Sequence, residues 1–302
     1  MEQQYKTSID KATALDFAIR DCQNEYECGY EIGGKLYNNY LSKEAWGKFL
    51  NSMSDLHRAQ YYDADGGELI EKKGRWGLYP PKMASFGSSS RLIYECSKSI
   101  PGFYFEKQLP TRVGHTANMD GYLSRPEEDL FVEAKCREIY FSHLNQKVSL
   151  VYEDLYEYIK SANSIFSYKY SHIKDESDYM ACSFIIKGKY ISHFDVKQLI
   201  SHFLGICANI LENKSNTNVR FLYLIFNPAF DTKFSNRNIH KFETKILEEY
   251  KTTMMEIREF GDFNWLFDAV MNYQSKHLGL PKPQYNFEFE LHDQKSYTAK
   301  LI

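Results

Sequence analysis

Apolar residues recurring at three- and four-residue steps mark residues 10–60 as helical, with Leu15, Ala18 and Ile19 on one stripe and Trp46, Phe49 and Leu50 on another. Gly66-Gly67, Gly74, Gly77, Pro80-Pro81 and Gly87 then predict a loop over 63–90. Its closing serines, Ser88 to Ser90, suit the N-cap of a short helix carrying Arg91 and Glu95 and stopping by Pro101-Gly102. Strands are expected over 103–109, 115–123 and 129–135. In the third, Leu130, Val132 and Ala134 alternate with Phe131, Glu133 and Lys135. The short connections between them predict an antiparallel meander.

Farther along, Val151, Leu155, Ile159, Ala162 and Phe166 form a helical stripe, and 183–186 reads as a short strand. A clearer helix is expected over 196–211. The nearly unbroken apolar run 219–226, ended by Asn227-Pro228, fits a strand buried on both faces. Helices over 242–257 and 264–273 and an edge strand over 285–291 complete the pattern. The order helix, three strands, insertion, helix, strand, helix predicts an α/β core over 86–275 with an insertion at about 141–190. Residues 1–85 would form an N-terminal helical region and basic loop, and 276–302 a C-terminal extension.

The length of 302 residues allows a substantial core without staples. With 43% hydrophobic and 25% charged residues, the composition excludes disorder as the dominant state. No apolar run approaches the ~20 residues of a membrane helix, and the first residues lack the pattern of a secretory signal. The six cysteines form no C-x-x-C pair, which argues against a zinc site or a disulfide framework and points to a cytoplasmic setting. The net charge of −3 does not announce a nucleic-acid binder, but totals hide patches. Between Lys72 and Arg91 lie five basic residues (Lys72, Lys73, Arg75, Lys82 and Arg91) and no acidic one.

Glu133 and Lys135, two apart on one strand, leave the same face. Asp120 lies on the preceding strand, and a hairpin would bring its carboxylate beside Glu133. Two buried carboxylates repel unless a cation joins them, and hard oxygen ligands with open positions favour Mg²⁺. The neighbouring ammonium of Lys135 would then orient a water for attack on phosphorus. The triplet Glu-x-Lys is weak alone, because it occurs five times, beginning at Glu71, Glu133, Glu212, Glu243 and Glu249. Only Glu133 ends an apolar strand just after a second strand carrying Asp.

In these residues, Asn118-Met119-Asp120-Gly121-Tyr122 followed by Val132-Glu133-Ala134-Lys135, the chain resembles the PD-(D/E)XK nuclease superfamily. The resemblance covers roughly 89–135 and 196–226, and it lacks the proline before Asp120. It implies a restriction-endonuclease-like αβββαβ core and metal-dependent hydrolysis of DNA phosphodiester bonds. It also implies Asp120 and Glu133 as ligands of Mg²⁺ (Mn²⁺ as substitute), the Ala134 carbonyl as a further ligand, Lys135 at the water, and Glu95 as the ligand from the first helix. Glu106 is an alternative ligand or a cross-strand partner for a lysine, Gln198 the polar residue of the later helix, and His115 a structural histidine or a phosphate contact. The stretch Lys72, Lys73, Arg75, Lys82, Ser89 and Arg91, with Ser88 and Ser90, would clamp phosphates of double-stranded DNA ahead of the helix. Cutting both strands would favour a homodimer. The alternative is a catalytically silent DNA-binding or assembly module of a defence or repair complex on the same fold. Most of the aromatic residues, 16% of the chain, are expected to fill the core.

Overall fold

The computed structural model describes residues 15–16, 19–20, 27–64, 67–74, 77–173, 178–227, 237–294 and 296–297. Arg75 lies outside the described residues. Leu15, Asp16, Ile19 and Arg20 are helical, with Leu15 and Ile19 buried as the stripe predicts. Within the stretch expected to be helical, however, lies a hairpin, β1 (Cys28–Ile32) and β2 (Lys35–Leu41). Gly33 and Gly34 both take positive φ (59° and 73°), as a two-residue turn of primed type requires. Two capped helices follow. Ser42 Oγ accepts the Ala45 N–H at the start of α1 (Lys43–Ser52), and Ser54 Oγ accepts the His57 N–H at the start of α2 (Asp55–Asp63). The expected loop contains a small ribbon, β3 (Lys72–Gly74) with β4 (Gly77–Tyr79). It ends at α3 (Ser89–Ser97), whose N-cap is Ser88, with Oγ accepting the Arg91 N–H.

The meander is present as β5 (Tyr104–Pro110), β6 (Thr116–Ser124) and β7 (Asp129–Lys135), antiparallel in sequence. The segment after it is more than a helical stripe. It contains β8 (Gln146–Ser149), α4 (Glu153–Ala162), β9 (Phe166–His172), β10 (Tyr179–Ile186) and β11 (Lys189–Tyr190). Phe166 opens β9 instead of extending α4. β10 pairs with β9 along one edge and with β8 and β11 along the other, forming a separate antiparallel sheet.

The chain then returns to the first sheet through α5 (Val196–Leu211) and β12 (Asn218–Ile225). Next come α6 (Arg237–Phe260), α7 (Asn264–Leu278) and β13 (Asn286–Asp293). The five-stranded order is β13-β12-β7-β6-β5, with β12 parallel to both β7 and β13. Residues 286–293 are therefore an edge strand of the main sheet, as the pattern over 285–291 indicated, and not an extension outside it. Every residue of β7 is buried, as expected of a central strand flanked on both edges. Helices α2, α3 and α5 pack on the sheet. Gly205 of α5 permits the closest approach, because a Cβ there would lie 2.6 Å from Leu109 Cβ and 3.1 Å from the Leu109 carbonyl oxygen. The protein is thus a mixed α/β fold with polar side chains set into its most buried strand.

Candidate active site

The site forms where β6 and β7 part. Their ladder ends at Gly121↔Val132, so the next residues of β7 have no ladder partner on β6. Asp120 fills that gap, its Oδ2 accepting the Ala134 N–H at 2.7 Å. Lys135 O accepts the Phe226 N–H at 2.9 Å on the β12 side. The alternation of strand groups therefore turns the Ala134 N–H and C=O toward Asp120. Gly121 is required by packing and not by a turn: a Cβ there would lie 2.4 Å from Phe103 Cζ.

Glu133 and Lys135 are both buried, and the Lys135 Nζ donates to Glu133 Oε1. Gln198, in the first turn of α5, joins them. Its Oε1 accepts from Lys135 Nζ at 2.6 Å, and its Nε2 donates to Glu133 Oε1 at 2.8 Å. One turn on, His202 lies with Nε2 3.5 Å from Glu133 Oε2. Burial pushes Glu133 up to about 7, although the charge of Lys135 opposes this. Asp120 is also raised well above the carboxylate range, by burial and then by Glu133. Burial works against the Lys135 charge, but Glu133, with Tyr223, Glu138 and Asp120 behind it, outweighs burial and holds the ammonium protonated. His202 is held down to about 3 by burial and by Lys135, so its imidazole is neutral at physiological pH.

Glu106 supplies the third carboxyl group. By register it stands opposite Asp120, between the pairs Phe105↔Gly121 and Lys107↔Met119, and its φ is +54°. A left-handed non-glycine residue inside a strand is strained, and such residues concentrate at functional sites. Ser90 Oγ donates to Glu106 Oε1 at 3.1 Å. Burial pushes Glu106 up to about 9, and Asp120 and Glu68 add to the shift.

Glu95 does not join this group. It ion-pairs with Lys98 at 2.6 Å and lines an outer hollow with Lys48 and Phe49. Five helical steps turn Glu95 about 140° from Ser90, which faces Glu106, so the helix itself carries it away. His115 is exposed and stacks on Tyr152 at 5.7 Å, away from the carboxylates brought together here. Among the basic residues, Arg91 is 1% exposed, with its guanidinium 5.3 Å over the Phe86 ring. It is an interior residue and not a phosphate clamp. Lys72 and Lys73 lie on the exposed β3 ribbon. Lys82 pairs with Glu68 at 2.8 Å and shares a pocket of about 310 Å³ with Ser89. His202, Glu68, Arg137 and Glu138 were absent from the sequence reading. Of these only His202 carried a signal, the i,i+4 spacing from Gln198 on the apolar side of a helix.

The donor set suits a hard cation. Glu133 Oε2 is buried without a hydrogen bond, and both Glu133 and Asp120 resist ionising, a resistance that a cation would relieve. Among the described residues no three His, Cys, Asp or Glu side chains gather as a metal cage. A cation here would rest on two carboxylates and a carbonyl, the sparse protein coordination that Mg²⁺ uses with waters and phosphates. No helix among the described residues is long and apolar enough to cross a membrane. Comparison with protein-family models, curated proteins and solved structures gives no match for the chain.

Proposed function

We propose that this protein is a Mg²⁺-dependent endonuclease that hydrolyses DNA phosphodiester bonds, of restriction or defence type, on a restriction-endonuclease-like core. The observation that carries the reading is the convergence of Asp120, Glu133, Lys135 and Gln198 where β6 and β7 part. The element order supports it as well: α3, the antiparallel β5-β6-β7, then α5 and a β12 parallel to β7 make an αβββαβ succession.

Asp120, Glu133 and the Ala134 carbonyl would hold Mg²⁺. When bound, the ion supplies Lewis-acid polarisation of the phosphate and a more acidic water. Lys135 contributes a fixed ammonium. Held between Glu133 and Gln198, it is aimed by two acceptors and can donate to an oxygen approaching phosphorus. Gln198 sets the orientation of both Lys135 and Glu133, and neutral His202 lies 3.5 Å from the far oxygen of Glu133, leaving that oxygen to the ion and adding no charge. Glu106, its carboxyl pushed up to about 9 by burial, stands opposite Asp120 as a neutral neighbour of the two carboxylates that would hold the ion. Duplex DNA is the proposed substrate, cut on both strands by a homodimer in the cytoplasm.

The test is cleavage of supercoiled plasmid and phage DNA with Mg²⁺ or Mn²⁺, with EDTA, Asp120→Ala and Lys135→Ala as controls. Metal-dependent cutting lost in both variants supports the reading. A folded protein that neither cuts nor binds Mg²⁺ would replace it with the silent DNA-binding module.

A further inference from the structure

A pocket of about 310 Å³ is built around the start of α3 and lined by Ser85, Ser89, Ser90, Lys82, Glu68 and Arg137, among others. The N-cap hydroxyl of Ser88 is taken by the Arg91 N–H. The amides of Ser89 and Ser90, in the first helical turn, have no acceptor within the helix, and the helix dipole makes this end positive. A second, independent feature lies in the same wall. Ser85 is 6% exposed, and its Oγ makes no hydrogen bond, so a buried hydroxyl lines the pocket without a partner. Such a group is costly unless something fills the role of partner.

Arg137 adds a fixed cation. Asp16, fully buried, accepts from its Nη1 at 2.9 Å and holds the side chain in place. Gly87 makes room for it, because a Cβ there would lie 2.8 Å from Arg137 Cδ and 2.4 Å from Asp16 Oδ1. The two acidic residues of the wall are already engaged: Glu68 pairs with Lys82, and Glu138 Oε2 accepts the Cys136 N–H at 2.9 Å. The donors left to a ligand are the Ser89 and Ser90 amides, the Ser85 hydroxyl and the outward N–H groups of Arg137, which must outweigh the Glu138 carboxylate that a backbone N–H binds without neutralising.

We propose that this pocket binds a phosphate group of a nucleic acid, received by the first amides of α3, the hydroxyls of Ser85 and Ser89, and Arg137. Helix-start amides with a nearby guanidinium match a tetrahedral oxyanion. Ser90 ties the pocket to the proposed reaction centre through Glu106, which stands opposite Asp120. The phosphate rests in its own pocket, but its assignment to a nucleic acid depends on the nuclease reading.

The experiment is calorimetric titration of the full chain with inorganic phosphate in EDTA, followed by competition with oligonucleotides bearing a 5′-phosphate or a 5′-hydroxyl. Ser89→Asp is the informative variant, because a carboxylate in the first turn favours the helix while repelling an anion. Its melting temperature and near-ultraviolet dichroism report that the fold is kept. Arg137→Gln is the second variant. Saturable phosphate binding that weakens about tenfold in Ser89→Asp is expected, from a charge repulsion of a little over 1 kcal/mol. Binding that is unchanged in both folded variants, or absent up to about 10 mM phosphate, overturns the pocket. Displacement by the 5′-phosphorylated strand alone assigns a terminal phosphate, and displacement by both strands assigns internal ones. Displacement by neither overturns the nucleic-acid assignment. Because no cleavage is measured, loss of the pocket leaves the plasmid assay to judge the nuclease separately.

Discussion

Replacing Glu106 with Gln removes one ionisable group from the carboxylate cluster while preserving the shape of its neutral form. Glu106 is 9% exposed and pushed up to about 9 from its ordinary 4.5, chiefly by burial and then by Asp120. Its folded value lies above its unfolded value, so the stability it contributes is fully present below about 4.5. That stability is lost as pH rises toward 9, because folding must then hold a proton that the unfolded chain has released. Each pH unit within this window is worth about 1.4 kcal/mol, so between pH 5 and 8 the group should cost the fold about 4 kcal/mol. Because the charge of Asp120 helps to raise Glu106, the difference between the two proteins reports Glu106 together with its interaction with Asp120. Urea unfolding at pH 5, 6.5 and 8 in EDTA is the assay. Glu106→Gln should show a flatter profile and be the more stable protein at pH 8. Its amide still accepts from Ser90, so the 3.1 Å bond is no reason for it to weaken. Parallel profiles for the two proteins would mean that Glu106 is already ionised in the fold, and the electrostatic account of the cluster would fail.

Three further outcomes are expected. Glu256 is buried and accepts from the backbone N–H groups of Ser192, His193 and Phe194 at 2.6–2.9 Å. Burial opposes its charge, but hydrogen bonds from His193 and Ser192 hold it below the usual range. Glu256→Gln should lose about 2 kcal/mol at pH 7 by urea unfolding. The wild-type contribution is present above about 4.5 and is lost as pH falls through the lowered folded value, so the gap between the two proteins should narrow in acid; a gap as wide at pH 3 as at pH 7 would refute this. Gly205→Val should destabilise by about 1–3 kcal/mol through the clash with Leu109, despite removing a helix glycine; a higher melting temperature would contradict the packing. If Lys72 and Lys73 on the exposed β3 ribbon touch phosphates, the double variant to Gln should weaken duplex binding and reduce the salt slope by about two, and an unchanged slope would remove the ribbon from the interface.

The parts of the chain that were legible are those where one physical constraint dominates. β12 must be apolar almost throughout because it is buried on both faces, β7 alternates its apolar Leu130, Val132 and Ala134 with Phe131, Glu133 and Lys135, and α5 must bury a wide stripe. Their boundaries followed from composition alone. The β1–β2 hairpin was missed although Gly33-Gly34 announced it, because Tyr30, Ile32 and Leu41 are too few buried positions for a clear period of two. β9 and β10 were obscured for a related reason. β9 is exposed over its second half, so its tyrosines carry no alternation.

The site divides along the same line. Asp120, Glu133 and Lys135 belong to adjacent strands joined by a short turn, so sequence distance and spatial distance agree. Glu106 and Glu95 do not share that simplicity. Glu106 reaches Asp120 through one left-handed residue that no propensity rule places in a strand. Glu95 fails on a rotation of about 140° that depends on which face of α3 meets the sheet, and tertiary packing decides that face. The same packing buries Arg91 and leaves Ser89 at the pocket two positions away, and it brings Arg137 beside Ser85 from fifty residues downstream. A charge count along the chain treats Lys72, Lys82 and Arg91 as one basic stretch. In the fold they serve an exposed ribbon, an ion pair and a core, so the chemistry of a basic segment is settled by what each residue packs against.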